Sequence, residues 1–332
     1  MIQVLSISGG LTSARAGVML KAIYGDNLNL VFMDTGGEHP ETYKFLREIN
    51  EHFNLNITCL KGDFTGPLGS LTKYHIISID DIGPDLSAFT GTVQKYGVPY
   101  TGGMFCTSRM KTRVYEAYCN KTYGRKNYIT WLGIRADEPG RVWGEKAMEE
   151  LKPLGLDNDE LIDMYNNVKQ NPELAESLGD SCVQRIGVNT HLRYIAEIDD
   201  ADKRDVINWW SHQPFTLNIP EWLGNCVFCP KKSDLKLALA YRDEPEMFIK
   251  FNDMLNDKSV RVDDKTGVSS DMYRKHRSLT QVIDMYEDYT YQEIRDRMRY
   301  TGGEDTNSCS ESCEIFGGDD AQFVKLWSDA NE

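Results

Sequence analysis

The stretch Ser8-Gly9-Gly10-Leu11-Thr12-Ser13 stands between an apolar run at residues 1–7 and a segment with helical periodicity. Ile2, Val4, Leu5 and Ile7 predict a buried strand. Ala14, Val18, Met19, Ala22 and Ile23, closed by Gly25, predict an amphipathic helix. A glycine pair at such a junction lets backbone N–H groups come close to an anion, and the helix N-terminus adds partial positive charge. Ser8, Thr12 and Ser13 contribute hydroxyl groups. By itself so short a string suits a phosphate cradle and a plain strand-to-helix turn equally well.

The next segments favour the cradle. Residues 28–33 form a second apolar run, followed by Asp34-Thr35-Gly36-Gly37-Glu38-His39-Pro40-Glu41-Thr42. Asp34 is thereby placed at the carboxyl end of a second strand, where open α/β sheets bind their ligands. Pro40 and Glu41 open a helix carrying Tyr43, Phe45, Leu46 and Ile49, and residues 56–60 supply a third strand. This β-α-β-α-β beginning predicts an α/β, Rossmann-like, mostly parallel sheet.

At this point the chain resembles a known family. Residues 8–13 look like the PP-loop, whose usual form is S-G-G-x-D-S. Asp34-Thr35-Gly36 with Pro40-Glu41-Thr42 resembles the D-T-G…P-E-T element of phosphoadenosine phosphosulfate (PAPS) reductases. Leu132-Gly133-Ile134-Arg135-Ala136-Asp137-Glu138-Pro139-Gly140-Arg141 is similar to that family's G-I-R…E…R segment. The chain is therefore identified as similar to the PAPS reductase and ATP-pyrophosphatase superfamily, the adenine nucleotide α-hydrolase-like group. The resemblance covers residues 1–145 and resumes near 193–240. Gly224-Asn225-Cys226-Val227-Phe228-Cys229-Pro230-Lys231-Lys232-Ser233 has a form common in phage-type members. Thr12 departs from the pattern: pyrophosphatase members carry Asp there, which removes the usual acidic help with Mg2+.

The whole chain has 332 residues, with 40% hydrophobic and 27% charged, an ordinary globular balance. No run is long enough to span a membrane and no signal-peptide pattern opens the chain, so a cytoplasmic location is expected. Its 37 basic and 51 acidic residues give a net charge of −14, which disfavours general nucleic-acid binding. A nucleic-acid acceptor would need a local basic patch: residues 121–126, Lys231-Lys232, residues 274–277, or Arg295, Arg297 and Arg299. Four regions are expected: a nucleotide-binding α/β domain at 1–145, a helical insertion at 146–192, a helical subdomain with C-x-x-C at 193–300, and a polar cysteine-containing tail at 301–332. The insertion is read as a substrate-side cap or a homodimer contact. Trp209-Trp210 closes a helix capped near Asp202 and is read as core.

Eight cysteines are too few and too uneven for a secreted disulfide scaffold. Cys226 and Cys229 form C-x-x-C, a spacing at which two thiolates reach one metal. The resemblance places Cys106 near the nucleotide, making Cys106, Cys226 and Cys229 a three-ligand set with Cys309 or Cys313 as fourth. A [4Fe–4S] cluster, structural zinc and plain thiols are the three readings, and the resemblance favours iron. Cys59, Cys119 and Cys182 sit in apolar or helical contexts and are read as inert buried thiols.

The resemblance implies an adenine nucleotide, ATP or PAPS, held by Ser8, Gly9, Gly10, Thr12, Ser13, Asp34, Thr35, Gly36, Arg109 and Gly133. It gives Arg135 and Arg141 the phosphate or sulfate through their planar donor forks, with Lys111 and Arg109 completing a cationic pocket. The leading activity is adenylylation of an acceptor with pyrophosphate release, followed by sulfur transfer that draws on a sulfur donor protein. The alternative is PAPS reduction with release of sulfite, in which Cys309 or Cys313 would be the nucleophile. A nucleotide sensor without turnover is the third reading, kept open by Thr12.

Overall fold

The computed structural model describes residues 1–262, 268–274 and 276–300. Six strands form one sheet: β1 (Ile2–Ile7), β2 (Leu28–Asp34), β3 (Thr58–Asp63), β4 (Lys73–Ile77), β5 (Tyr128–Leu132) and β6 (Leu192–Tyr194). Their spatial order is β4-β3-β2-β1-β5-β6, parallel except for β4, which runs antiparallel to β3. The α/β, Rossmann-like expectation holds. The two edge strands were not legible in advance. β6 is only three residues long, and β4 leaves Lys73, His75 and Ile76 exposed, as edge strands do.

Alternate residues of the central strands pack into two cores, which explains why these strands read as continuous apolar runs. Leu5, Ile7, Leu30 and Phe32 meet α1 (Leu11–Tyr24), α2 (Pro40–His52) and α3 (Ser87–Tyr96) on one face. Val4, Val31, Met33 and Leu132 meet α4 (Arg113–Tyr123) and the helical segment after β5 on the other. That segment comprises α5 (Pro139–Trp143), α6 (Glu145–Leu151), α7 (Asn158–Gln170) and α8 (Asp180–Val188). It is bound to the sheet's second core by Trp143, Tyr165 and Tyr194, and Trp143 Nε1 donates to Leu161 O at 2.9 Å.

α1 forms where expected and stops at Gly25, whose φ of +55° suits glycine. Its buried face is not the expected one: Leu11, Ala14, Ala16, Gly17 and Leu20 face the core, while Ile23 is 55% exposed. α9 (Lys203–Ser211) delivers Trp210 to the core, where its indole N–H donates to Leu11 O at 2.9 Å. The mainly helical C-terminal part follows with α10 (Asp234–Asp243), α11 (Pro245–Asn256), α12 (Leu279–Asp284) and α13 (Tyr291–Tyr300). Pro245 opens α11 and separates it from α10, since a proline cannot continue the preceding helix.

Candidate nucleotide site at the strand-order switch

β1 leads outward to β2 and β3 on one side, whereas β5 and β6 lie on the other. The strand order therefore reverses between β1 and β5, the place at which open α/β sheets form their ligand crevice at the carboxyl ends of the strands. Residues 8–13 follow β1 into this crevice, and Gly133 and Arg135 follow β5 into it.

The loop is shaped by close packing. Gly9 has φ +83°, and a Cβ built on it would lie 2.7 Å from Thr42 Cγ2 and 3.3 Å from Leu46 Cδ1 of α2. Only glycine fits that conformation and space. Ser13 Oγ donates to Gly10 O at 3.0 Å, accepts from the Ser8 amide at 3.1 Å and lies 3.0 Å from Ser8 Oγ. Across the crevice, a Cβ on Gly133 would stand 2.8 Å from Ser13 Cα. The end of β5 thus presses backbone to backbone on the first turn of α1, whose early amide N–H groups have no acceptor within the helix.

Of the expected cations, Arg135 reaches the loop. Its Nη1 donates to Thr12 Oγ1 at 3.2 Å, while Nε and Nη2 grip Asp137 at 2.7 and 3.2 Å. Arg141 is paired with Glu138, which also lies 3.4 Å from Arg135. Lys111 is buried, with Nζ 3.4 Å from Glu38 Oε1. Arg109 lies over the Tyr96 ring, 4.7 Å from its centroid, on the α3 side of the molecule. Arg135 and Arg141 thus share Glu138, whereas Lys111 pairs with Glu38 and Arg109 lies over Tyr96.

Asp34 ends β2 with its side chain fully buried. Burial, and then the nearby Glu38 charge, push its pKa up to about 6, against the lowering effects of Lys61 and the Gly36 amide. Lys61 Nζ lies 3.2 Å from Asp34 Oδ2, a contact of charge without hydrogen-bond geometry. The Tyr43 hydroxyl stands 3.2 Å from Asp34 Oδ1 and 2.9 Å from Glu38 Oε2, and Thr35 Oγ1 donates to Glu38 at 2.7 Å. Tyr43 is pushed well above the usual phenol range by burial and by Glu38, so it remains a donor. Sequence reading missed Glu38, Tyr43 and Lys61 as site residues. The only signal was a charged Glu38 between two glycines and a proline-opened helix.

The C-x-x-C loop docks on this network. Val227 N donates to Gly37 O at 2.9 Å, and Cys226 Sγ lies 3.7 Å from Thr35 Oγ1 and 3.9 Å from Glu38 Oε1. Cys106, Cys226 and Cys229 are all buried near the Tyr273 hydroxyl, which donates to Phe228 O; burial and these three thiols raise its pKa. Cys106 and the C-x-x-C pair thus share the surroundings of Tyr273. The ligand set itself is not formed: among the described residues no group of three Cys, His, Asp or Glu side chains is arranged to hold a metal ion. Cys309 and Cys313 lie outside the described residues.

The profile of the phosphoadenosine phosphosulfate reductase domain matches residues 2–65, which span β1, the loop, α1, β2, α2 and β3. The chain is 39% identical over 323 residues to the uncharacterized nin region protein ORF290 of Escherichia phage lambda, covering 96% of each. The chain is a phage-type member of the PAPS reductase family. The uncharacterized protein MJ0066 of Methanocaldococcus jannaschii is 22% identical over 134 residues, 40% of this chain and 23% of that one. No solved structure gives a significant match.

Within this PAPS reductase fold the other described cysteines, Cys59, Cys119 and Cys182, are buried. Burial pushes the thiols of Cys59 and Cys119 up to about 12 and that of Cys182 up to about 11. Of the expected basic patches, Lys231-Lys232 is not one: Lys232 is fully buried and donates to the carbonyls of Trp222 and Val227. Arg274 and Arg277 are both paired with Asp234. Among the described residues no helix is long and apolar enough to cross a membrane.

Proposed function

We propose that the protein binds an adenine nucleotide with its phosphates on residues 8–13 and catalyses attack at the α-phosphorus for sulfur transfer. The observation that carries this reading is the convergence of two loops at the strand-order switch, with Gly133 packed on Ser13 and Arg135 directed at Thr12. ATP is the nucleotide. An acceptor oxygen attacks the α-phosphorus and pyrophosphate leaves. A persulfide on Cys226 or Cys229, loaded by a sulfur donor protein, attacks the activated acceptor and AMP leaves; the other cysteine then attacks the resulting acceptor–S–S–Cys bond, releasing the thiolated acceptor and forming a Cys226–Cys229 disulfide that a thiol reductant reopens. Arg135 supplies planar donors to the developing phosphate charge, and the first-turn amides of α1 supply fixed dipoles. Docking of the cysteine loop on residues 34–38 holds the sulfur chemistry beside the nucleotide chemistry.

PAPS reduction is the second reading, favoured by the domain match over residues 2–65. It requires a nucleophilic thiol from Cys309 or Cys313. One assay separates the two: purified protein is supplied with ATP or PAPS, a thiol reductant and a sulfur donor, and pyrophosphate and sulfite are both measured. Pyrophosphate release from ATP that Arg135→Ala abolishes supports sulfur transfer. Sulfite release from PAPS, lost when the chain is cut after Tyr300, supports reduction. Tight nucleotide binding with neither product would leave a sensor.

A further inference from the structure

We propose that the cleft between the β3–β4 loop and α3 is a second binding site, for a phosphate-bearing ligand, separate from the loop after β1. This cleft has a volume of about 510 Å³ and is lined by Lys61, His75, Lys95 and Arg261 against one carboxylate, Asp63. Such a concentration of cations is conspicuous on a chain of net charge −14, because a low-dielectric cleft focuses their field against the repulsion of the surrounding surface.

The cations divide into two groups by their partners. Lys61, at the end of the cleft near the start of α3, is matched by carboxylates: its Nζ lies 2.7 Å from Asp85 Oδ2 and 3.2 Å from Asp34 Oδ2. At the other end, Lys95 Nζ is 3.0 Å from the Ser70 hydroxyl and over the Tyr96 ring, with no carboxylate partner among the described residues. Arg261 is fixed there by its backbone, whose N–H donates to Val93 O at 3.2 Å. Its guanidinium has no ion pair or hydrogen bond among the described residues. Arg109 also lies over the Tyr96 ring, 4.7 Å from its centroid, adding a third charge nearby.

Two uncompensated cations, one of them a planar donor fork, select a tetrahedral oxyanion. Phe64, Pro67, Leu68, Ala88 and Gly91 add apolar wall, interspersed with Thr65, Ser87 and Gln94, and suit an organic body attached to that phosphate. Ser87 and Lys95 are eight positions apart on α3, about 12 Å at the helical rise, so the cleft is longer than a phosphate group alone. The site is joined to the nucleotide crevice through Lys61, which touches Asp34 on one side and lines the cleft on the other.

Titration calorimetry on the full chain tests this, with the loop after β1 filled by the ATP analogue α,β-methylene-ATP. Inorganic pyrophosphate and thymidine 5′-monophosphate are the probes, run at low and high NaCl. At least one probe should bind in the presence of the analogue and weaken as salt rises. Lys95→Glu combined with Arg261→Glu should weaken that binding by about tenfold or more while the analogue's own affinity changes less than twofold. Tighter binding of the monophosphate identifies an ester with an organic body; tighter pyrophosphate identifies a free inorganic anion. Lys95→Ala and Arg261→Ala, each alone, give smaller losses and serve if the double variant is misfolded by circular dichroism. No binding of either probe, displacement of the probe by the analogue, or unchanged affinity in the charge-reversed variants would overturn the proposal. Failure of the analogue itself to bind would instead sink the nucleotide reading, and the charge-reversal arm would still read the cleft.

Discussion

Gly133→Ala is the sharpest test of the crevice. The added Cβ would stand 2.8 Å from Ser13 Cα and 3.1 Å from both Ser13 N and Ser13 Cβ. Three of these approaches are tighter than ordinary van der Waals contact, and two are to backbone atoms that cannot rotate aside. Either β5 or the first turn of α1 must move by about half an ångström or more, against cores that are packed on both faces of the sheet. Overpacking of this kind costs about 1–3 kcal/mol. Relief comes most directly by opening the loop, because Ser13 is held there by three hydrogen bonds rather than by apolar burial. A nucleotide that needs the closed loop must then restore the strain, so affinity should fall by about 5- to 150-fold at 1.4 kcal/mol per decade. Gly140→Ala is the control, since its Cβ would meet nothing within 4 Å. Calorimetry with ATP and with PAPS, beside thermal unfolding of each variant, provides the readout. An affinity within twofold of the parent in Gly133→Ala, or an equal loss in Gly140→Ala, would refute the argument that this close approach shapes the site.

Further expectations follow from the buried network and the thiols. Asp34 keeps its proton to about pH 6 in the folded chain but loses it near 3.8 when unfolded, so the folded state binds more protons between these values and stability falls as pH rises through that window. The group should cost roughly 3 kcal/mol at pH 7 relative to pH 3, and urea unfolding should show Asp34→Asn gaining on the parent across that range; parallel pH profiles would contradict it. Glu38→Gln leaves Lys111 facing a neutral amide in a buried setting and should destabilise by about 3 kcal/mol; a double-mutant cycle with Lys111→Met should recover part of this, and strict additivity would count against the pair. Alkylation at pH 8 followed by mass spectrometry should leave Cys59, Cys119 and Cys182 unmodified in the native state and label them after denaturation, because thiols near 11 or 12 hold almost no thiolate there; rapid native labelling would show that they are neither buried nor raised.

The reading of the site went furthest where local sequence and local geometry coincide. Gly9, Gly10 and Ser13 belong to a turn only a few residues long, and Asp34 ends a strand marked by its own apolar run. Arg135 was legible by resemblance as a neighbour of the loop, and it does face Thr12. Its companions were not, because a cation's partner is chosen by whatever carboxylate folding brings near. Lys111 meets Glu38, 73 positions earlier in the chain, and Lys232 meets only carbonyls in the interior although its sequence neighbour is exposed. The cysteines show the same division: C-x-x-C spacing proposed a shared metal, whereas packing puts the three thiols around Tyr273, a residue with no sequence signal at all.

Alternation of apolar strands with helical segments, glycines at the first junction and an aspartate at the second strand end determined an α/β sheet with a glycine-paired loop after β1. Those features are local: they depend on backbone conformation and side-chain period, which a window of ten or fifteen residues already specifies. The tertiary structure alone decided that β5 lies beside β1, and so that Gly133 and Arg135 complete the crevice. It alone placed Glu38 between Tyr43, Lys111 and Cys226, and gathered Lys61, Lys95 and Arg261 along one cleft. The physical reason is that charge and hydrogen-bond partners are set by distance in space, which strand order fixes over more than a hundred residues and which no periodicity along the chain encodes.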